Sequence, residues 1–165
     1  RVTGGQTCAL PRLVETTDAD NSGPAAGSSD VSIPASNVQQ TRDYRILVIE
    51  DQVDSAILLE MFLGDMGYQM IMADSGEAGL RLAKQYEPDV IISDIGLSTA
   101  MDGYAVARAV RSDQQLSSVY LISTSGYSQA EDKAAAKAAG FNEHLNKPVD
   151  LDRLAALIAQ HLSSL

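Results

Sequence analysis

The sequence predicts an α/β domain in which five helices cover both faces of a five-stranded parallel sheet. Between Tyr44 and Leu165, aliphatic runs alternate with helical segments five times, which is the pattern of a parallel sheet with crossover helices. The run VIIS at 90–93 is continuous rather than alternating, as in strands buried on both faces. Right-handed crossovers between parallel strands then favour a doubly wound sheet.

Each predicted strand is a short run of mainly apolar residues. In order, the strands are RILVIED (45–51), YQMIMA (68–73), DVIISD (89–94), VYLISTS (119–125) and FNEHLN (141–146), and the helices cover 54–67, 74–86, 103–112, 128–140 and 150 onward. Asp54 is predicted to cap the first helix and Gly67 to end it. Asp74 and Glu77, spaced as a capping box, open the second, and Gly140 ends the fourth.

The segment before the domain has a different composition. Residues 15–43 are rich in Ser, Thr, Ala, Gly, Pro and Asp without an apolar period, so we expect 1–43 to be a flexible linker. Residues 1–14, RVTGGQTCALPRLV, are more apolar and could end an upstream domain. The domain itself is expected over 44–165.

Charge and composition exclude several classes of function. The net charge is −10, and residues 44–165 hold 17 acidic and 9 basic side chains, which opposes binding to nucleic acid or to an anionic membrane surface. No apolar run approaches the ~20 residues that span a bilayer. The single cysteine, Cys8, favours a reducing, cytoplasmic compartment.

Polar residues gather where the predicted strands end. Glu50 and Asp51 end the first strand, Asp94 the third and Ser125 the fourth, and Lys147 follows the fifth. Carboxyl ends of parallel strands share one edge, where such sheets place their sites. Three acids there would repel one another unless a divalent cation such as Mg²⁺ intervened. The lysine and the serine hydroxyl would hold a phosphoryl group, which a carboxylate can accept covalently.

Each of these residues also has an ordinary interpretation. Asp94 alone could be a turn or cap residue, Lys147 a surface cation and Ser125 a turn residue. The acidic pair could be a solvated loop with a cap. Because all of them fall at one predicted sheet edge, we favour the phosphoryl site.

Four motifs carry a resemblance to a known family. The acid pair of strand one, SDIGLSTAMDGYAVA, TSGY and KPV occur in order, and over 44–165 the chain resembles the receiver domain of two-component response regulators. The resemblance implies a flavodoxin-like sheet of order 2-1-3-4-5. It also implies that Asp94 accepts a phosphoryl group from a histidine kinase or histidine phosphotransfer protein. This fragment would then be a phosphoacceptor module rather than an enzyme.

The resemblance further implies roles for individual residues. Mg²⁺ would be ligated by Asp51, Asp94 and the Gly96 carbonyl, with Glu50 acting through water. Lys147 would pair with the carboxylate and then with the phosphate.

The remaining implied roles concern switching. Ser125 would follow the phosphate, and His144 would take the aromatic switch position, altering the surface of helix four, strand five and helix five. The Lys147–Pro148 bond would be cis. Ser98 stands in place of the family's proline, with one extra residue before Met101, so we expect a looser loop over 95–102.

Three alternative functions make different demands on the sequence. A flavodoxin-like cofactor binder needs a Ser/Thr/Gly loop after strand one, where this chain has EDQVD. A phosphatase with an aspartate nucleophile places a second aspartate two residues on, where this chain has Gly96. A pseudo-receiver that docks partners without phosphorylation stays open.

The parent protein is also a matter of expectation. The chain begins with Arg1, ends after the last predicted helix, and contains GGQTCALPRLVE, which loosely resembles the end of a histidine-kinase ATP-binding domain. We expect the C-terminal receiver of a hybrid sensor histidine kinase, with a stand-alone regulator as the alternative.

Overall fold

The computed structural model describes residues 43–126 and 130–165. The predicted linker, except for Asp43, and the predicted kinase tail at 1–14 lie outside the described residues. So does the predicted start of the fourth helix at 128. The domain expected over 44–165 lies within the described residues except for 127–129.

Five parallel strands form one sheet in the order β2-β1-β3-β4-β5, which confirms the predicted topology. The strands are β1 (Arg45–Ile49), β2 (Gln69–Ala73), β3 (Val90–Asp94), β4 (Tyr120–Ser125) and β5 (Glu143–Asn146).

Five helices connect the strands and close the domain. They are α1 (Val53–Asp65), α2 (Gly76–Tyr86), α3 (Gly103–Ser112), α4 (Ala130–Ala139) and α5 (Leu151–Leu162). In the described part of the chain, no helix combines the length and the apolar content that crossing a membrane requires.

The sheet is buried on both faces, which explains why its central strands are continuous aliphatic runs. Successive side chains of a strand point to opposite faces. In β1, Leu47 and Ile49 pack with residues of α2, α3 and α4, whereas Ile46 and Val48 pack with residues of α1 and α5. All four side chains are at most 1% exposed.

Two predicted helix caps are wrong. Asp54 lies in the first turn of α1, and the cap position is Gln52, whose side chain makes no capping hydrogen bond. In α2 the cap is Ser75, whose Oγ accepts from the backbone N–H of Ala78, so Asp74 does not open a capping box. In α1 the helix starts one residue before Asp54, so Asp54 lies inside it, whereas in α2 two adjacent residues could both accept the capping bond and Ser75 is the one that does.

Candidate functional site

The carboxyl edge of the sheet brings the predicted residues together. Asp94 ends β3 and Ser125 ends β4, while Glu50 and Lys147 directly follow β1 and β5. Glu50, Asp94 and Ser125 are 4%, 4% and 2% exposed. Polar groups buried this deeply must find partners in one another, in backbone groups or in a ligand.

Lys147 connects the two buried carboxylates. Its Nζ lies 2.7 Å from Asp94 Oδ2 and 2.9 Å from Glu50 Oε2. The backbone N–H of Lys147 donates to the Ser125 carbonyl at 2.7 Å, so β4 and β5 together fix where the lysine starts. One ammonium group therefore forms ion pairs with two carboxylates.

Burial and neighbouring charges shift the pKa values of Glu50 and Lys147. Burial raises the pKa of Glu50, and the charge of Asp94 adds to this, although Lys147 opposes both. Burial pulls the pKa of Lys147 down, but its hydrogen bonds and charge interactions with Asp94 and Glu50 outweigh burial and raise it. The site holds more negative charge than its lysine neutralises.

The third acid, Asp51, is held differently. Its Oδ2 accepts hydrogen bonds from both the backbone N–H and the hydroxyl of Ser98, and the N–H bond is 2.9 Å long. These bonds lower the pKa of Asp51. Its other oxygen, Oδ1, is buried and has no hydrogen-bond partner.

The donor set fits a divalent cation of the Mg²⁺ type. One ligand atom from each of Glu50, Asp51 and Asp94 lies within 4.8 Å of the others. Oxygen ligands from carboxylates and carbonyls are those that Mg²⁺ prefers. Two positive charges would offset the excess of carboxylates, and the unpartnered Asp51 Oδ1 is an oxygen that a cation would satisfy.

The backbone holds Asp94 from two sides. The N–H of Gly96 donates to Asp94 Oδ1 at 3.0 Å, which places Gly96 against the carboxylate. On the other side, a Cβ on Gly103 would lie 2.3 Å from the Asp94 carbonyl oxygen and 2.7 Å from Ile95 Cα. Only glycine permits this approach of α3 to the end of β3.

The loop over 95–102, for which we expect a looser path, makes hydrogen bonds within itself and to neighbouring segments. The N–H of Ile95 donates to the Thr124 carbonyl at 2.9 Å, and Thr99 Oγ1 donates to the Met101 carbonyl at 3.0 Å. Leu97 is buried in the core beside Ile95. Together with the contact between Ser98 and Asp51, these interactions connect the loop to β4, to the core and to the residue pair after β1, and its looser path stays a prediction.

The predicted switch residues lie along β4 and β5. Ser125 ends β4 one residue beyond Thr124, which pairs in register with Asp94. His144 is partly buried on β5, where its Nδ1 lies 2.9 Å from Ser123 Oγ and its Nε2 is buried without a partner. The Lys147–Pro148 bond is cis.

Three contacts of the site are not predicted from the sequence. Ser98 was noted as a departure in the loop, not as a partner of Asp51. The contact of Ser123 with His144 and the close approach of Gly103 to Asp94 were also missed. A hydroxyl residue in a loop after a sheet-edge acid was the available signal for Ser98.

This chain is similar in sequence or in structure to several known proteins. PilH of Pseudomonas aeruginosa is 32% identical over 114 residues, 69% of this chain and 93% of PilH. The chemotaxis response regulator CheY4 of Vibrio cholerae superposes with a TM-score of 0.67 at 26% identity, covering 72% of this chain and 98% of that one.

A third relative carries a metal. The receiver domain of a sensor histidine kinase of Pseudomonas aeruginosa, with magnesium coordinated in its active-site cleft, is 25% identical with a TM-score of 0.67, over 73% of this chain and 98% of that one. The family model described as the response regulator receiver domain matches residues 46–159. This chain therefore belongs to the response regulator receiver domain family.

Proposed function

We propose that this receiver domain takes a phosphoryl group onto Asp94 from a phosphohistidine donor in a Mg²⁺-dependent reaction. The observation that carries the proposal is the Asp94 carboxylate, buried at the end of the central strand with the Lys147 ammonium 2.7 Å from its Oδ2. The carboxylate is thus the acceptor, and the lysine is placed to interact with the phosphate that it receives.

The transfer needs no other nucleophile. An Asp94 oxygen attacks the phosphorus, a P–O bond forms as the P–N bond of the phosphohistidine breaks, and the electron pair returns to the imidazole. Lys147 offsets negative charge on the phosphoryl oxygens. The Ser125 hydroxyl, at the end of the neighbouring strand, supplies a further hydrogen bond.

Asp51, Asp94 and the Gly96 carbonyl would hold the cation, with Glu50 acting through water. Bound there, Mg²⁺ supplies positive charge that lowers the repulsion between the acceptor carboxylate and the incoming phosphoryl oxygens. Glu50 keeps Lys147 beside Asp94 through its own ion pair of 2.9 Å.

The partner class follows from the surface beside the site. Helix α1 begins two residues after Asp51. It exposes Val53, Ile57, Leu58 and Met61, which are 68%, 47%, 54% and 64% exposed. Such an apolar helix face suits an apolar surface on another protein. We assign it to the histidine kinase or histidine phosphotransfer protein that presents the phosphohistidine.

The first prediction tests this function directly. Incubation with a phosphohistidine protein, or separately with acetyl phosphate, should add the mass of one phosphoryl group in Mg²⁺ and none in excess chelator. Intact-protein mass spectrometry measures both. No mass gain with either donor in Mg²⁺ would contradict the proposal and favour the pseudo-receiver.

Phosphorylation is further proposed to switch the α4–β5–α5 surface. A phosphate adds roughly −1.5 to −2 charge at pH 7 and needs donors within reach. Ser123 and Ser125 are two apart on β4 and therefore point to the same face, and His144 contacts Ser123 there. Movement of Ser125 toward the phosphate would open space for the His144 ring.

The second prediction tests this switch. Ser125→Ala should still accept phosphate, because Asp94, Lys147 and the cation sites remain, but should lose the shifts of amide resonances over 130–146 that wild type shows on phosphorylation. Two-dimensional NMR of both phosphorylated proteins provides the measurement. Identical shifts in the variant would rule out the Ser125-driven switch.

A further inference from the structure

Ser98 and Asp51 meet across the site although 47 positions separate them in sequence. Ser98 lies in the exposed part of the loop that follows Asp94, and both of its donors, the N–H and the hydroxyl, point to one carboxylate oxygen of Asp51. Two donors on a single oxygen fix the rotation of that carboxylate more firmly than one bond could.

The two oxygens of Asp51 are therefore in different states. Oδ2 is occupied by Ser98, while Oδ1 is buried and has no hydrogen-bond partner. The same carboxylate belongs to the acidic cluster with Glu50 and Asp94. An oxygen that is desolvated without a partner costs free energy, which a bound cation would recover.

Carboxylates that bind metals are commonly oriented by hydrogen bonds from residues that do not touch the metal. Ser98 meets that description, since it occupies one oxygen and leaves the other unused. Proline, which the family usually has here, could not act in this way because it lacks both an N–H and a hydroxyl.

We propose that Ser98 is a positioning residue for the divalent-cation site, holding Asp51 so that Oδ1 binds the ion. This inference rests on the proposed function, because it requires the Mg²⁺ site described above. Gly96 and Ser98 belong to the same loop, so the loop would supply one carbonyl ligand and also orient a second ligand.

The third prediction is the test of this inference. Mg²⁺ affinity is measured by titration of amide resonances in the unphosphorylated protein. Ser98→Ala, which keeps the N–H but lacks the hydroxyl, should bind Mg²⁺ about tenfold more weakly, the lower end of the range for such orienting bonds. Ser98→Thr keeps both the N–H and a hydroxyl, so its Mg²⁺ affinity should stay within about twofold of that of the wild-type protein.

Thr99→Ala is the matched control, since it removes a neighbouring hydroxyl that donates to the Met101 carbonyl instead of to Asp51. It should bind Mg²⁺ as wild type does. Thermal unfolding without metal separates orientation from folding, and Ser98→Ala should unfold at nearly the wild-type temperature.

Two results would overturn the inference. Unchanged or tighter Mg²⁺ binding by Ser98→Ala would show that Ser98 does not orient Asp51 or that it competes with the ion. An equal loss in Thr99→Ala would make the effect a property of the whole loop. In both cases the wild-type protein still binds Mg²⁺, so the proposed metal site stands. If neither the wild-type protein nor Asp51→Ala binds Mg²⁺, the metal site of the proposed function is overturned as well.

Discussion

Replacing Asp94 by asparagine should abolish phosphorylation completely. The amide has nearly the same shape as the carboxylate but cannot form the acyl phosphate, so intact-mass measurement should show one phosphoryl group on wild type and none on Asp94→Asn. The fold should survive, because Lys147 keeps its ion pair with Glu50 at 2.9 Å. Removing the Asp94 charge also removes one cause of the raised Glu50 pKa.

The matched control is Asp74→Asn. Asp74 is an exposed carboxylate directly after β2, at the same edge of the sheet, and should be dispensable for labelling. Hydroxylamine, which cleaves acyl phosphates, should remove the label from wild type and from the control. Equal labelling of Asp94→Asn and wild type would show that the acceptor lies elsewhere.

Replacing Lys147 by methionine should strongly destabilise the metal-free protein. The substitution leaves the buried carboxylates of Glu50 and Asp94 without their shared cation. Removing one partner of a buried pair costs about 3–5 kcal/mol, and we expect about 3 kcal/mol in the free energy of unfolding because the Lys147 side chain is 19% exposed. Urea unfolding at neutral pH with chelator measures it, and Mg²⁺ should restore part of the loss.

The pH dependence supplies a second signature of this variant. Burial raises the pKa of Glu50 above its ordinary value of 4.5, and loss of Lys147 should raise it further because the lysine opposes that shift. An acid whose pKa is higher in the folded than in the unfolded state loses stability as pH rises above the unfolded value. The deficit of Lys147→Met should therefore shrink as the pH falls toward 4.5, because a carboxyl whose pKa is raised takes up its proton before the pH reaches its ordinary value.

Lys84→Met is the control for charge removal in general. Lys84 forms an ion pair with Asp113 at 3.0 Å, but the Lys84 side chain is 59% exposed, and Asp113 keeps a hydrogen bond from the backbone N–H of Gln115 when the lysine is removed. Its substitution should change stability little and without the same dependence on Mg²⁺. A loss in Lys147→Met no larger than in Lys84→Met would contradict the shared role of the buried lysine.

The sequence by itself determined the sheet and the set of residues at its carboxyl edge. Continuous aliphatic runs such as residues 90–92 predict strands covered on both faces, and parallel strands necessarily end at one edge. The placement of Asp94 and Lys147 at the same edge follows from that topology. Because β4 lies between their strands, the contact of the lysine Nζ with Asp94 depends on the tertiary structure.

Only the tertiary structure determines which polar groups form hydrogen bonds with one another. Ser75 rather than Asp74 caps α2, a choice that the sequence leaves open because the two residues are adjacent and both can accept the bond. Ser98 reaches Asp51 because a loop folds across the end of the neighbouring strand, and the glycine at 103 is required because α3 touches the backbone of Asp94. Such contacts join residues far apart in sequence through distances of a few ångströms, which local propensity and hydrophobic period do not encode.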